Sequence, residues 1–532
     1  MLDGHDFDSK KEKFEVLNKA IHLDPLLSCK DEGLNILVKE LNNEIRNKDL
    51  ISGRKRLIKT QIQVLICNLV RAQNTKNKWL ALDRAKNRFT FNKNCRYKAQ
   101  SLVTYKIVKV VYALVKAESF FQHKGYSHEN LGGYRTRIRC TDKLVKMLET
   151  HNITSHLIVH AETQECIILR RNKKAIPYED NRHTNCMRRE LTAYNNVLRN
   201  NLIHIPTVKD QTLFIKGEAC YPFNNFQLFT VRSFNDDFSK GGRYYRNAVV
   251  TLPKAWRSRL RINNRPIVEI DFSAMHLILL YAYALKQDYW LSRDNETDPY
   301  LFGYSDILRV EYGFSDIDHK PIRKLIKSFF MYAINTKSKD EALKVLKHKQ
   351  KSLWTQIEQI IIEKNVSCTV EDLLERFLIK HAPIKDHIFT NAGINLQNID
   401  SRISEKVIFN FTKKNIPVYN LHDSNIAQTR YKTLLIKEMD FAYKSVMKEI
   451  TGKDFVSPRT TDVHGGLLKD IADNEVRCEM QIEYENYTKK NKTSLDREYQ
   501  TLLNQHREVV GRKKNYYQAL SLNVRTKNRK YW

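Results

Sequence analysis

The sequence predicts an α+β protein, and three patterns indicate this class. Several stretches carry apolar residues at three- and four-residue spacing with Lys and Arg between them, which is typical of amphipathic helices. These stretches are 34–45, 56–71 and 101–121. Short apolar runs bounded by polar residues, at 267–270 and 418–421, predict strands. In a third pattern, a helix over 143–150 is followed by two short apolar strands, at 157–159 and 166–169.

The same patterns divide the 532 residues into four predicted parts. A mostly helical N-terminal region covers 1–130, and a small αβ subdomain covers 131–230. A larger α+β part covers 231–470 with a helical insertion at about 285–395, and a basic tail with interleaved aromatic residues covers 471–532. The order helix, strand, turn, strand in 131–230 is compatible with a winged-helix module, although small αβ subdomains of other kinds share it.

The charge balance predicts a polyanionic partner. The chain has 91 Lys and Arg against 60 Asp and Glu, a net charge of +31, which favours nucleic acid first and an anionic membrane surface second. No apolar run approaches the roughly 20 residues of a membrane span. The acidic N-terminus excludes a secretory or transit signal, and the nine cysteines are scattered without a C-x-x-C pair. We therefore expect a cytoplasmic protein without structural zinc or disulfides.

Two Asp residues stand at the ends of predicted strands. The run Ile267–Ile270 ends in Asp271, and a helix is predicted to follow. The second stretch, Val418 to Thr429, reads as a hairpin with Asp423 at its turn. Two strand-borne carboxylates that meet across one sheet can share two divalent cations. The alternative for Asp271 is that it only caps the helix.

Two basic segments flank this pair. Gly241-Gly242 predicts a turn, followed by Arg243 for phosphate contacts and Tyr245 for stacking on a base or sugar. A helix predicted to open at Pro321 carries residues four apart, which drift slowly around one face and suit a nucleoside triphosphate: Arg323, Lys327, Met331 and Asn335. The alternatives are an ordinary basic hairpin and a basic surface helix.

A further helix is predicted to begin near Asn398, with apolar Ile399 and Ile403 facing inward. Gln397 and Asn398 stand at its start, where amides can read a minor groove by hydrogen bonds. As helix caps they need no function.

The order of these motifs carries a resemblance. The chain contains, in sequence, Gly-Arg-x-Tyr, Asp-Phe-Ser-x-Met-His-Leu, Arg-x3-Lys-x3-Met-x3-Asn, Gly-x3-Gln-x2-Asp and His-Asp-Ser. This order resembles the polymerase core shared by family A DNA polymerases and the single-subunit RNA polymerases of phages and mitochondria, over roughly residues 239 to 450. The resemblance implies a right-hand fold, with an antiparallel palm and helical fingers formed by the insertion.

The resemblance also implies a role for each motif residue. Asp271 and Asp423 would bind the metals, with the Phe272 carbonyl as an extra ligand. Arg323 and Lys327 would bind the incoming triphosphate. His276, Met331 and Asn335 would contact the nucleotide. Template and primer would be contacted by Gly242, Arg243, Tyr245, Gln397 and His422.

The implied function is a template-directed nucleotidyltransferase that adds nucleotides to a 3′-hydroxyl with two Mg²⁺ ions, or Mn²⁺ in their place. His276 stands where the DNA enzymes carry Glu and the RNA enzymes Gly, so the sugar choice stays open between a DNA polymerase and an RNA polymerase or primase. No acidic exonuclease pattern occurs in 1–230, so no proofreading is expected. A non-catalytic nucleic-acid-binding replication factor fits the charge equally well. By analogy, the source is a phage, plasmid or other mobile element.

Overall fold

The structure is a computed structural model of the chain. It describes residues 20–29, 31–73, 78–84, 86, 97, 103–128, 132–154, 158–160, 165–206, 212–215, 218–222, 228–247, 249–250, 252, 254–289, 298–301, 316–463, 499–500, 503–504 and 507. The predicted basic tail, 471–532, lies outside these residues except for 499–500, 503–504 and 507.

The N-terminal part is a mixed module with its own hydrophobic core. Its strands are β1 (Ile21–His22), β2 (Leu27–Ser28), β3 (Leu80–Leu82), β4 (Phe120–His123), β5 (Tyr126–His128), β6 (Gly132–Tyr134), β7 (Thr136–Cys140) and β8 (Val159–His160). Its helices are α1 (Glu32–Asn47), α2 (Lys55–Gln73), α3 (Lys106–Lys116) and α4 (Asp142–Thr150). One sheet has the order β1-β3-β7-β4, and one core extends from Leu27 to Ile158. The predicted boundary at 130/131 therefore falls inside this module, because β7 completes a sheet with earlier strands.

The winged-helix interpretation is wrong for the strands that motivated it. The helix at 143–150 is present as α4. The two strands after it belong to different sheets. β8 pairs with β2, whereas β9 (Ile167–Arg171) pairs with β10 (Lys174–Ala175) and with β14 (Leu228–Asn235). A wing requires the two to pair with each other. Which strands pair with β8 and β9 is decided by contacts with segments distant in sequence, and the local residue pattern does not indicate such pairing.

A second sheet precedes the central sheet in the chain. The next elements are α5 (Arg182–Arg199), β11 (Ile203–His204), β12 (Thr212–Ile215), β13 (Glu218–Pro222), β14 (Leu228–Asn235) and β15 (Asp237–Asn247). The sheet order is β10-β9-β14-β15, and β14 and β15 form a long hairpin. Its turn is at Asp236 with φ +60°. Gly241 and Gly242 lie inside β15 at a register shift, so the predicted Gly-Gly turn is a bulged strand instead.

The central sheet carries both predicted Asp residues. It follows α6 (Lys254–Arg257) and consists of β11, β16 (Arg261–Ile262), β17 (Arg265–Phe272), β18 (Tyr419–Leu421), β19 (Ser424–Gln428) and β20 (Thr460–Asp462). The order is β11-β16-β17-β19-β18, with β20 beside β17. Every pairing in it is antiparallel, which confirms the predicted antiparallel sheet and the mixed α and β class.

The remaining helices cover this sheet and form the insertion. They are α7 (Met275–Leu280), a π-helical turn (Tyr281–Leu285), α8 (Asp316–Ala333), α9 (Lys339–Lys349), α10 (Lys351–Glu363), α11 (Val370–Lys380), a 3₁₀ turn (Ala382–His387), α12 (Gly393–Lys413), another 3₁₀ turn (Thr429–Tyr431) and α13 (Lys432–Thr451). Pro321 lies inside α8 rather than at its start. A single core from Cys166 to Phe455 joins these helices to the sheets. Within the described ranges, none of the helices is both long and apolar enough to cross a membrane.

Candidate active site

The register of the central sheet brings the two predicted Asp residues together. β17 pairs with β19 so that Asp271 faces Ser424, the residue directly after Asp423. Directly opposed residues in an antiparallel pair have Cβ atoms about 4.5–5.5 Å apart. Both side chains are half-buried. Two carboxylates far apart in sequence therefore share one end of two neighbouring strands.

The electrostatics of this pair are those of two acids that repel each other. Burial raises the pKa of Asp271 to about 7, and the charge of Asp423 adds to the rise. Lys327 and Lys254 act in the opposite direction. Within the described part of the chain, the Oδ1 atom of Asp271 is buried without a hydrogen-bond partner. A buried oxygen without a donor beside a second carboxylate fits a hard divalent cation, which prefers carboxylate oxygens.

The alternative role for Asp271 as a helix cap is wrong. Asp271 is still in β17, and the position before α7 is occupied by Ala274 with φ +54°. Phe272 is the last residue of β17, and its side chain is buried. The chain direction reverses through Ser273 and Ala274, which leaves the Asp271 carboxylate free of any capping bond to α7.

His422 occupies a strained position in the hairpin turn. It has φ +59°, a conformation that costs a non-glycine residue about 1–2 kcal/mol. Its carbonyl accepts hydrogen bonds from Ser404 Oγ at 3.0 Å and Asn420 Nδ2 at 2.8 Å, which hold the strained turn. Burial lowers the pKa of His422, and the Arg243 guanidinium lowers it further. Its ring lies edge-on to Tyr245 with centroids 6.0 Å apart, so two predicted nucleic-acid contacts are neighbours.

Two cations of α8 face a tyrosine beside the carboxylates. Arg323 Cζ lies 5.6 Å, and Lys327 Nζ 6.0 Å, from the Tyr300 ring centroid. Tyr300 is buried, which raises the pKa of its hydroxyl, and the charges of Arg323, Asp423 and Asp271 all act on it. Arg323 also donates from Nε to Asp298. The helix that was predicted to bind a triphosphate therefore presents its cations towards the acid pair.

The other two predicted residues of this helix lie at its C-terminal end. Met331 is half-buried against the main core. Asn335 lies two residues beyond the end of α8, where its Nδ2 donates to the Met331 carbonyl at 2.7 Å. A Cβ at Gly393 would lie 2.3 Å from Asn335 Oδ1, so the start of α12 passes directly against this amide. A nucleotide contact by either residue stays a prediction.

A buried network connects Arg243 and His276 through Asp400, the last residue of the Gly-x3-Gln-x2-Asp motif, to which no role was assigned from the sequence. Asp400 on α12 is 1 % exposed. It accepts bonds from Arg243 Nε at 3.2 and 3.1 Å, and it lies 3.0 Å from His276 Nε2. Burial alone would raise the pKa of Asp400, but the hydrogen bond from His276 and the charge of Arg243 hold it below its ordinary value. This carboxylate is therefore ionised and anchors two predicted substrate contacts.

Gly242 lies in β15, and Gln397 and Asn398 lie in α12. Gly242 has φ +88°, and a Cβ there would lie 2.7 Å from Phe234 Cε1 and 2.8 Å from Ser401 Oγ, so the glycine permits close packing of β15 on α12. The helix starts at Gly393 rather than near Asn398, and neither predicted amide caps it. Asn398 Nδ2 donates to the Gly241 carbonyl at 3.3 Å. Gln397 lies in the early part of α12 and is half-buried.

Sequence reasoning missed several residues of the site. Glu269 is 1 % exposed and receives two bonds from Arg257 and one from Ser424. Asp298, Tyr300 and Asp400 were also not selected as site residues. A charged residue inside an apolar strand is a detectable signal for a paired acid. No local pattern marks the loop at 298–301, because its partners come from other elements. Asp400 ends the Gly-x3-Gln-x2-Asp motif, but the motif does not reveal the buried partners of this carboxylate.

No protein-family model matches the sequence, and no curated protein matches it. Among solved structures, the chain is similar to the POL domain of Pol1 from M. smegmatis, in complex with DNA primer-template and dNTP. The identity is 11% and the TM-score 0.24, over 84% of this chain and 67% of that chain. Both values are low, so neither fold nor activity is inferred from this likeness.

Proposed function

We propose that the chain is a template-directed nucleotidyltransferase, most simply a DNA polymerase without proofreading, with a right-hand core of palm and fingers. The observation that carries the proposal is the register of β17 and β19, which sets Asp271 beside Asp423. Burial, with the charge of Asp423 as the next cause, raises the pKa of Asp271 to about 7, so an ionised Asp271 costs free energy in the folded protein. That cost is explained if the pair binds a divalent cation, and polymerases use such pairs.

The proposed mechanism assigns positions to the residues of this chain. Asp271 and Asp423 would hold Mg²⁺, which when bound supplies Lewis-acid stabilisation of phosphate charge. Among the described residues, no cluster of three or more His, Cys, Asp or Glu adds to the pair. Two carboxylates suffice because Mg²⁺ keeps water and phosphate oxygens as its other ligands.

The α8 cations supply the complementary charge. Lys327 acts electrostatically on Asp271, so a triphosphate drawn to Arg323 and Lys327 would come to lie next to the acid pair. Charge-assisted hydrogen bonds from Arg and Lys to phosphate position the reacting group and reduce its repulsion for the carboxylates. His422 directly precedes Asp423 in the hairpin turn and lies edge-on to Tyr245 of β15, so we infer that these two side chains would contact a primer end.

The test is primer extension with wild-type protein, Asp423→Asn and the surface control Asp454→Asn. Asp454 forms a surface ion pair with Lys448 at 3.0 Å, and its side chain is 80% exposed. We expect template-directed incorporation by the wild type and the control. Asp423→Asn should reduce it by at least about 10³-fold while leaving DNA binding intact. Unchanged extension by Asp423→Asn would overturn the assignment.

The same assay separates the alternatives. Comparing dNTPs with rNTPs, with and without primer, distinguishes a DNA polymerase from an RNA polymerase or primase. Cation-independent DNA binding with no incorporation of any nucleotide would identify a non-catalytic replication factor instead. The raised pKa of Asp271 favours the enzyme, because a protein that only binds a polyanion gains nothing from paired acids.

A further inference from the structure

Asp400 is at the junction of three elements behind the acid pair. It comes from α12, Arg243 from β15 and His276 from α7. Both Arg243 and His276 bond to its Oδ2 atom. The side chains of Asp400 and His276 are 1% and 8% exposed, so water does not substitute for these bonds. A fully buried carboxylate that bonds to an arginine and a histidine holds both side chains in one orientation.

The geometry restricts how His276 is protonated. His276 Nε2 lies 3.0 Å from Arg243 Nη2 and 3.0 Å from Asp400 Oδ2. A guanidinium only donates and an ionised carboxylate only accepts, so the ring nitrogen satisfies one of them at a time. With its proton on Nε2, His276 donates to Asp400. In this arrangement, Asp400 fixes the tautomer and ring direction of His276 as well as the direction of the Arg243 side chain.

The network continues to the proposed reaction centre. Arg243, Asp400 and His276 all act electrostatically on His422, and Asp423 also acts on Arg243. A displacement of Arg243 or His276 would thus change the electrostatic potential next to Asp423. Neither residue has another described carboxylate within ion-pair distance that could replace Asp400.

We propose that Asp400 is a positioning residue of the nucleotidyl-transfer site, which holds Arg243 and His276 against the sugar of the nucleotide and the primer end. This proposal rests on the proposed function. Asp400 itself touches no substrate, because it is buried behind the two side chains that it orients. Its loss should weaken nucleotide binding and change the preference between deoxyribose and ribose, with a smaller effect on the rate at saturation.

The experiment compares Asp400→Asn with a matched variant, Glu165→Gln. Glu165 is also a buried carboxylate held by an arginine, since Arg188 donates to it from Nε and Nη2. Both substitutions are isosteric, and both should lower the melting temperature. We expect Asp400→Asn to raise KM for the complementary dNTP about tenfold or more and to change the dNTP-to-rNTP ratio of kcat/KM. Glu165→Gln should leave KM and that ratio at the wild-type values.

A double-mutant cycle with His276 measures the coupling between the two substitutions in KM, and a purely structural role of Asp400 would not produce this coupling. In a His276→Gln background, Asp400→Asn should add much less to KM than it does alone, because the side chain that it orients is already gone. Asp400→Glu, which keeps the charge, should restore part of the wild-type KM.

The outcomes are distinct. A wild-type protein that incorporates no nucleotide removes the proposed function and this proposal with it. A wild-type protein that extends primers, together with wild-type KM and sugar ratio in Asp400→Asn or additive effects with His276→Gln, overturns this proposal alone. If Asp400→Asn does not fold, Asp400→Ser, which also removes the carboxylate, carries the same comparison. Failure of both to fold would make the role of Asp400 structural and overturn the proposal.

Discussion

Replacement of Asp423 by asparagine removes one of the two like charges at the end of β17 and β19. Burial raises the pKa of Asp271 from 3.8 to about 7, with Asp423 as the next cause. The folded protein thus holds this proton more tightly than the unfolded chain does. Stability is therefore lost as the pH rises from 3.8 to about 7.

The size of the effect follows from the pKa. The full shift corresponds to about 4 kcal/mol at pH 8. Burial is the larger cause and persists in the variant, so we expect Asp423→Asn to recover about 1 kcal/mol. In EDTA at pH 8, the variant should melt about 1–2 °C above the wild type.

Magnesium should reverse this order. A cation at ten times its Kd stabilises the folded protein by about 1.4 kcal/mol. The wild type should gain this stabilisation and Asp423→Asn should not, because the variant has lost one of the two proposed ligands. Thermal melts with EDTA and with MgCl₂ measure both effects without any activity assay.

Glu269→Gln is the matched control on the same strand. Glu269 pairs with Arg257 at 2.9 and 3.0 Å, so its neutralisation leaves a buried cation and should cost about 3–5 kcal/mol in either buffer. If Asp423→Asn is less stable than the wild type in EDTA, or gains as much from MgCl₂, the two carboxylates do not form the site described.

Three further predictions concern other parts of the chain. Asp298→Asn removes the anion beside Arg323 but keeps an acceptor for the Tyr300 amide. A fluorescent nucleoside triphosphate should therefore bind at least about threefold more tightly to this variant. Weaker binding would mean that Asp298 orients Arg323 for its ligand. Gly242→Ala should destabilise the protein by about 3 kcal/mol, because Gly242 has φ +88° and an added Cβ would make contacts under 3 Å. Gly452→Ala should cost only about 1 kcal/mol, because Gly452 has φ +76° but open space around it. Equal costs in urea unfolding would contradict the close packing of Gly242. Burial lowers the pKa of His204 from 6.5 to about 4, so the unfolded chain binds this proton more tightly and the folded protein loses stability as the pH falls from 6.5 to about 4. His204→Gln should reduce this loss of stability by about 3 kcal/mol at most. An unchanged slope of unfolding free energy against pH would show that His204 is not responsible.

Local elements were predicted where local physics dominates. The hairpin at 418–429 formed as β18 and β19, because apolar residues flank a polar turn. The apolar run before Asp271 formed β17. Boundaries were less well predicted. Helix α12 begins five residues before the predicted start, since packing of Gly393 against Asn335 extends it.

Glycine patterns show the limit of local reasoning. Gly241-Gly242 is typical of a turn, but the hairpin turn formed at Asp236 and the glycines entered β15. The close approach of α12 requires them there, and that requirement is invisible without the helix. Similarly, the sequence pattern of β8 and β9 is compatible with the wing of a winged helix, but in the structure each strand pairs with a strand distant in sequence.

By itself, the sequence determined the strand that carries Asp271, the hairpin with Asp423 at its turn, the basic helix with Arg323 and Lys327, and the excess of positive charge. These follow from residue periodicity and composition, which act over a few residues. Only the tertiary structure decided that Asp271 faces Ser424, that Tyr300 lies under the α8 cations and that Asp400 joins Arg243 to His276. Register and helix packing are set by burial of the whole core, so no short stretch of sequence specifies them.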